Sequence, residues 1–251
     1  MTSDDRTTLR VEPCRKRIRA YFGGQAVADT TQSLLVWEHS RYPVYYIPAA
    51  DVRTDLLEPS GRSSHRHRLG DARLFTITAG GRTAEDAAWQ YEQSPVEAVR
   101  GFVRFDWSAM DAWFEEDEEV YTHARDPYTR IDVLASSRTV RVELDGEAVA
   151  ESRSPRLLFE TGLITRYYLP MTDLRADLLG PGTTTTHCPY KGTAEHLSVR
   201  VGDTWHTDVA WVYRAPFPES QKIAGLVSFY NERGDLLVDG VLQPRPRTAF
   251  G

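Results

Sequence analysis

The chain has 251 residues, 41% of them hydrophobic, 26% charged and 11% aromatic, and a formal net charge of −6. That length buries one large core or two ordinary ones, while the acidic balance leaves no dense basic face for nucleic acid. No apolar run approaches the ~18 residues of a membrane span, and Cys14 and Cys188, with no Cys-x-x-Cys, indicate neither a disulfide framework nor a zinc finger.

In chain order, residues 1–10 are polar and read as a frayed start with no signal peptide. Residues 34–38 and 44–48 are apolar runs rich in β-branched and aromatic side chains, hence strands. Residues 51–57 suggest a helical turn in which Asp51, Arg53 and Asp55 form local ion pairs and a cap. Residues 74–78 and 83–91, joined through Gly80-Gly81, predict a hairpin. Ser94-Pro95-Val96-Glu97 has the form of a capping box with proline at the first helical position, so a short helix is expected there, ending at Gly101. It runs into an apolar strand at 102–105. The acidic run 115–119 reads as a solvated edge that discourages sheet association. After the polar link Ala135-Ser136-Ser137, residues 138–144 and 147–151 flank Asp145-Gly146, a hairpin turn of the primed type. Strands follow at 197–201 and 208–213, a helix at 218–224 before Gly225, and an extended tail from Val241 through Pro244 and Pro246.

Many of these segments occur twice. A shift of 122 residues lays 27–70 on 149–192 without a gap, and 15 of the 44 pairs are identical, where chance gives roughly three. Tyr45-Tyr46-x-Pro48 meets Tyr167-Tyr168-x-Pro170, Glu38 meets Glu160, and Asp86-x-Ala88-Trp89-x-Tyr91 meets Asp208-x-Ala210-Trp211-x-Tyr213. The expected architecture is mainly β (a β-rich α+β class) in two tandem domains, residues 10–134 and 136–251, each of ordinary domain size.

These motifs, with Asp-x-Arg-x-Asp-Leu-Leu-x-Pro at 51–59 and 173–181 and Thr-His-Cys-Pro-Tyr-Lys-Gly at 186–192, resemble the family called domain of unknown function 427. The segment from Trp113 to Tyr128 is similar to its tandem members. The resemblance implies a β-tent-like region with a smaller α/β part wrapped against it and a pocket between them. Some labels attached to that family say nucleotidyltransferase. The sequence carries no Gly-Ser pair followed by catalytic carboxylates, no P-loop and no Gly-x-Gly-x-x-Gly to support that label.

The richest chemistry lies at 183–192. Cys188 is a candidate nucleophile, its thiolate favoured by Lys191 and His187. Alternatively Lys191 and the threonines cradle an anionic group, or the histidine and cysteine are simply packed. The first copy has lost this set, carrying His65, Arg66, His67, Arg68 and Leu69 instead. His65-x-His67 lacks a third ligand and is flanked by arginines, so no metal is expected, and nothing points to a cofactor. Glu38 and Glu160 sit inside apolar runs, where a carboxylate either pairs with an arginine or acts on a ligand. The leading expectation is a cytoplasmic, soluble protein that binds a small molecule, not nucleic acid or membrane. Glu160, His187, Tyr190, Lys191 and Trp211 would line one site, and Glu38, His39, Tyr42, Tyr46 and Trp89 the other. An enzyme acting through Cys188 or Glu38, and a scaffold with no site, are the alternatives.

Overall fold

The computed structural model describes residues 9–248; the polar start as far as Thr8, and residues 249–251, lie outside that range. The chain divides between Asp126 and Pro127 into two compact units. The first comprises β1 (Arg10–Pro13), β2 (Ile18–Phe22), β3 (Gln25–Thr30), β4 (Leu34–Trp37), β5 (Val44–Pro48), β6 (Leu57–Arg66), β7 (Gly70–Ala79), β8 (Arg82–Gln90), β9 (Phe102–Phe105), β10 (Ala112–Glu115) and β11 (Glu118–Glu119). The second repeats them as β12 (Ile131–Ala135), β13 (Val140–Leu144), β14 (Glu147–Ser152), β15 (Arg156–Glu160), β16 (Arg166–Leu169), β17 (Leu179–Cys188), β18 (Gly192–Val201), β19 (Thr204–Val212), β20 (Val227–Phe229), β21 (Asp235–Val238) and β22 (Val241–Leu242).

Each unit holds a long antiparallel sheet, β1-β4-β5-β9-β8-β7-β6 or β12-β15-β16-β20-β19-β18-β17, and a short one, β11-β10-β2-β3 or β14-β13-β21-β22. The identical order is what the repeat demands. Strand β12 opens the second long sheet by pairing with β15, so that sheet begins ahead of Ser136, the residue at which the second domain was expected to start.

Successive side chains on a strand face opposite ways, and this places two cores on each long sheet. One face packs on the short sheet, burying Ile18, Phe22, Val27, Tyr45, Ile47, Ile77 and Phe105 in the first unit. The other face carries Val36, Tyr46, Leu74, Tyr91 and Val99. Tyr45 and Tyr46, adjacent in sequence, therefore belong to different cores. The expected hairpin turns form: Asp145 and Gly146 have φ of 50° and 81°, and Gly80 and Gly81 of 57° and 74°, as primed turns require. Gly80 serves a second purpose. A Cβ there would lie 2.1 Å from the Gly23 carbonyl oxygen, so two turns, one from each sheet, touch backbone to backbone.

The helices expected after residues 94 and 218 are shorter and tighter than an α-helix. Among the described residues they are 3-10 turns, Glu97–Val99 and Pro218–Ile223. Ser94 Oγ accepts from Val96 N at 3.1 Å, closing a side-chain turn before a capping box can form, and Gly101, with φ 78°, ends the segment too soon for repeated i to i+4 bonds. Residues 49–56 contain two further 3-10 turns. Arg53 pairs with Asp55 there at 2.6 Å, but no side chain caps either turn.

The acidic edge is also more selective than its sequence suggests. Glu115 is 5% exposed, accepting from the Tyr45 hydroxyl at 2.5 Å and pairing with Lys16 Nζ at 2.6 Å. Strand alternation turns this one member of the run inward; Glu116, Asp117 and Glu118 are exposed.

Candidate functional site: a buried carboxylate on the second face of each long sheet

Residues directly opposite one another across antiparallel strands project to the same face. Leu34, Tyr46, Arg104, Trp89 and Leu74 stand in one such row across β4, β5, β9, β8 and β7. The matching row of the second unit is Arg156, Tyr168, Ser228, Trp211 and His196. The tyrosine and tryptophan are kept, while Leu34 gives way to Arg156, Arg104 to Ser228 and Leu74 to His196.

In the first unit the row surrounds Glu38, just beyond β4, whose side chain is 3% exposed. It accepts from the Tyr46 hydroxyl at 2.9 Å and from Arg104 Nε at 2.6 Å, and Arg66 Nη1 lies 2.9 Å from its other oxygen. The Arg104 guanidinium lies 4.4 Å from the centre of the Trp89 ring, a cation–π contact. Burial and the neighbouring Glu38 push the Tyr46 phenol far above its ordinary pKa, which fixes it as a neutral donor. Beside it, with ring centres 6.4 Å apart, stands Tyr91. Tyr91 is fully buried and its hydroxyl, although close to that of Tyr46, makes no well-formed hydrogen bond. Its pKa is raised by burial and by Glu38, and drawn down by Arg66 and Arg104.

In the second unit Glu160 occupies the Glu38 position and its partner is Lys191. Burial alone would discharge Lys191, but Cys188 and Glu160 more than offset it and hold its pKa up. Leu69 stands at the corresponding place in the first copy. The Tyr168 hydroxyl accepts from Trp211 Nε1 at 3.1 Å, and burial pushes its pKa up to about 12. A guanidinium again lies over the tryptophan, now from Arg166 on β16, 5.3 Å from the Trp211 ring. Arg166 is bound by Glu232 through two bonds of 2.7 and 2.8 Å. Glu160 and Glu232 thus each pair with one cation, whereas in the first unit two guanidiniums meet Glu38.

A family model described as a domain of unknown function (DUF427) matches residues 10–116 and again residues 132–240. The chain belongs to this family. No curated protein matches it. Both DUF427 copies hold the buried carboxylate, its tyrosine and the tryptophan; they differ in which positions supply the cations.

The residues expected in the sites divide accordingly. Glu38, Tyr46 and Trp89 come together around Arg104. His39 and Tyr42 lie beside them as an outer ladder, their rings 4.4 Å apart and Tyr42 stacked on His123 at 3.9 Å. Glu160 meets Lys191, and Trp211 meets Tyr168. His187 is exposed, its Nδ1 3.0 Å from Thr193 Oγ1, and Tyr190 is half-buried. His65 bonds Asp71 at 2.6 Å, and among the described residues no group of three or more His, Cys, Asp or Glu converges. Sequence reasoning missed Arg104, Arg66 and Arg166 as partners. Arg104 did carry a signal, because a charged residue between the apolar Val103 and Phe105 must be matched if its face is buried.

Proposed function

We propose that the protein binds a small molecule on the second face of the first unit's long sheet, at the Glu38–Arg66–Arg104 centre. The observation that carries this reading is the Tyr91 hydroxyl. A buried hydroxyl without a partner costs about 1–3 kcal/mol, and such groups are rare unless a ligand or water supplies the missing bond. Glu38 organises the arginines, Trp89 and Tyr46 wall the centre, and the exposed His39 ring, edge-on to the half-buried Tyr42, offers a surface for a flat ligand. The second unit, where Lys191 alone meets Glu160, serves as a structural copy. The test is a thermal-shift screen of the full chain against nucleotides, amino acids and cofactors, with Arg104→Ser and Lys191→Leu variants alongside. A ligand at 100 times its Kd adds about 2.7 kcal/mol of stability. The reading expects a hit lost in Arg104→Ser and retained in Lys191→Leu; a blank screen, or a hit lost only in Lys191→Leu, counts against it.

A second reading makes Cys188 a nucleophile, favoured by the charged Lys191 beside it. It expects thiol labelling at neutral pH faster than that of a peptide cysteine, and slowed in Lys191→Leu. A rate equal to the peptide's removes it.

A further inference from the structure

The charge arithmetic of the first unit says what kind of molecule its centre takes. Glu38 uses Nε of Arg104 and Nη1 of Arg66. The remaining donors, both terminal amines of Arg104 and the Nε and Nη2 of Arg66, make no hydrogen bond among the described residues. Arg104 has little access to water, its side chain being 14% exposed. Arg66, at 45%, stands at the outer side. The second unit has neither arginine: where Arg104 stands in the first copy it has Ser228, and where Arg66 stands it has Cys188. Its Arg166 is bound through both Nη atoms by Glu232, and Arg156, in the place of Leu34, stands at the end of its row. The first copy sets two guanidiniums against one carboxylate beside a buried tyrosine hydroxyl that makes no well-formed hydrogen bond; in the second row Ser228 Oγ and His196 Nδ1 also lack one.

We infer that the first unit's ligand is a small oxyanion, a carboxylate or a phosphate monoester, received by Arg66, Arg104 and the Tyr91 hydroxyl. This rests on the small-molecule reading above and narrows it to one class. Guanidinium groups present paired N–H donors that fit the two oxygens of such a group. The oxyanion restores neutrality at the centre and gives Tyr91 an acceptor.

Isothermal titration of the full chain with benzoate, phenyl phosphate, benzamide and benzylamine tests the inference, because the four share a ring and differ in the charged group. The expected result is binding of benzoate or phenyl phosphate at least tenfold tighter than of the neutral and cationic compounds, weakened tenfold or more in Arg66→Gln and in Tyr91→Phe, and unchanged in Arg73→Gln. Benzoate ahead of phenyl phosphate assigns a carboxylate, and the reverse a phosphate. Arg66→Gln keeps the test valid if Tyr91→Phe disturbs the core, since Arg66 is largely exposed. If benzamide or benzylamine binds as tightly as the anions and is lost in Tyr91→Phe, the oxyanion class is overturned while the small-molecule site stands. If none of the four binds at 10 mM and the wider screen is also blank, both fall.

Discussion

Replacing Glu38 by alanine exposes how the first centre is held together. The substitution removes the acceptor of three contacts, two of them from guanidiniums. Removing one partner of a buried ion pair costs about 3–5 kcal/mol. Two features favour the lower end. Arg66, 45% exposed, regains water, and Arg104 retains the Trp89 face at 4.4 Å, which is worth up to about 2 kcal/mol when desolvated. Glu38→Ala is therefore expected to cost about 3 kcal/mol, a fall in Tm on the order of 10 °C for a unit of this size. Arg66→Gln, which removes an exposed partner, should cost under about 1 kcal/mol, and Glu38→Ala with Arg104→Ser should be less damaging than the sum by about 2 kcal/mol, because neither leaves the other stranded. Calorimetry on the full chain, resolving the two units' transitions, measures all four proteins. A cost below 1 kcal/mol for Glu38→Ala, or an Arg66→Gln cost equal to that of Arg104→Ser, would refute the reasoning.

Other consequences are as open to measurement. Gly80→Ala places a Cβ 2.1 Å from the Gly23 oxygen and should cost several times more, in urea unfolding, than Gly81→Ala, which has a similar φ but nothing within 4 Å. Trp211→Phe removes the donor to Tyr168 and should lower stability by about 1 kcal/mol, with the Tyr168 ring environment changed in NMR spectra. Asp208 has its pKa lowered to about 2: burial opposes this, but bonds from Thr184 and Thr183 prevail. A depressed carboxylate contributes stability that is full above its unfolded pKa of about 3.9 and is lost as the pH falls through the folded value. The stability difference between the native chain and Asp208→Asn should accordingly be constant above pH ~5 and shrink between pH ~4 and ~2; a difference that grows on acidification contradicts it.

Much of the fold was legible because the repeat aligned the strands from β3 to β9 with those from β14 to β20. The hairpin turns were read from Asp-Gly and Gly-Gly pairs whose φ preferences leave few choices. The helices were not, since Ser94 and Pro95 give the same local signal for a capped helix and for a side-chain turn; the brevity of the segment before Gly101 decides between them. The anchoring carboxylates were also legible, Glu38 and Glu160 being single acids in apolar runs. Their partners were not. Arg104 lies 66 residues from Glu38 and Lys191 lies 31 from Glu160, and sheet order, not sequence spacing, brings them together. For the same reason the difference between the copies at Leu69 and Lys191 looked like a division of pocket chemistry. In the fold the copies neutralise one buried carboxylate in two ways, with Lys191 in the second and with both Arg66 and Arg104 in the first.

The central claim is that this pair of arginines makes the first unit, and not the second, a binding unit. The most direct measurement is the stoichiometry of oxyanion binding per chain, by titration with the tighter of benzoate and phenyl phosphate, in the native protein and in Arg104→Ser. One site per chain, abolished by Arg104→Ser, is the predicted result. Two equivalent sites, or one that survives Arg104→Ser and disappears in Lys191→Leu, would contradict it.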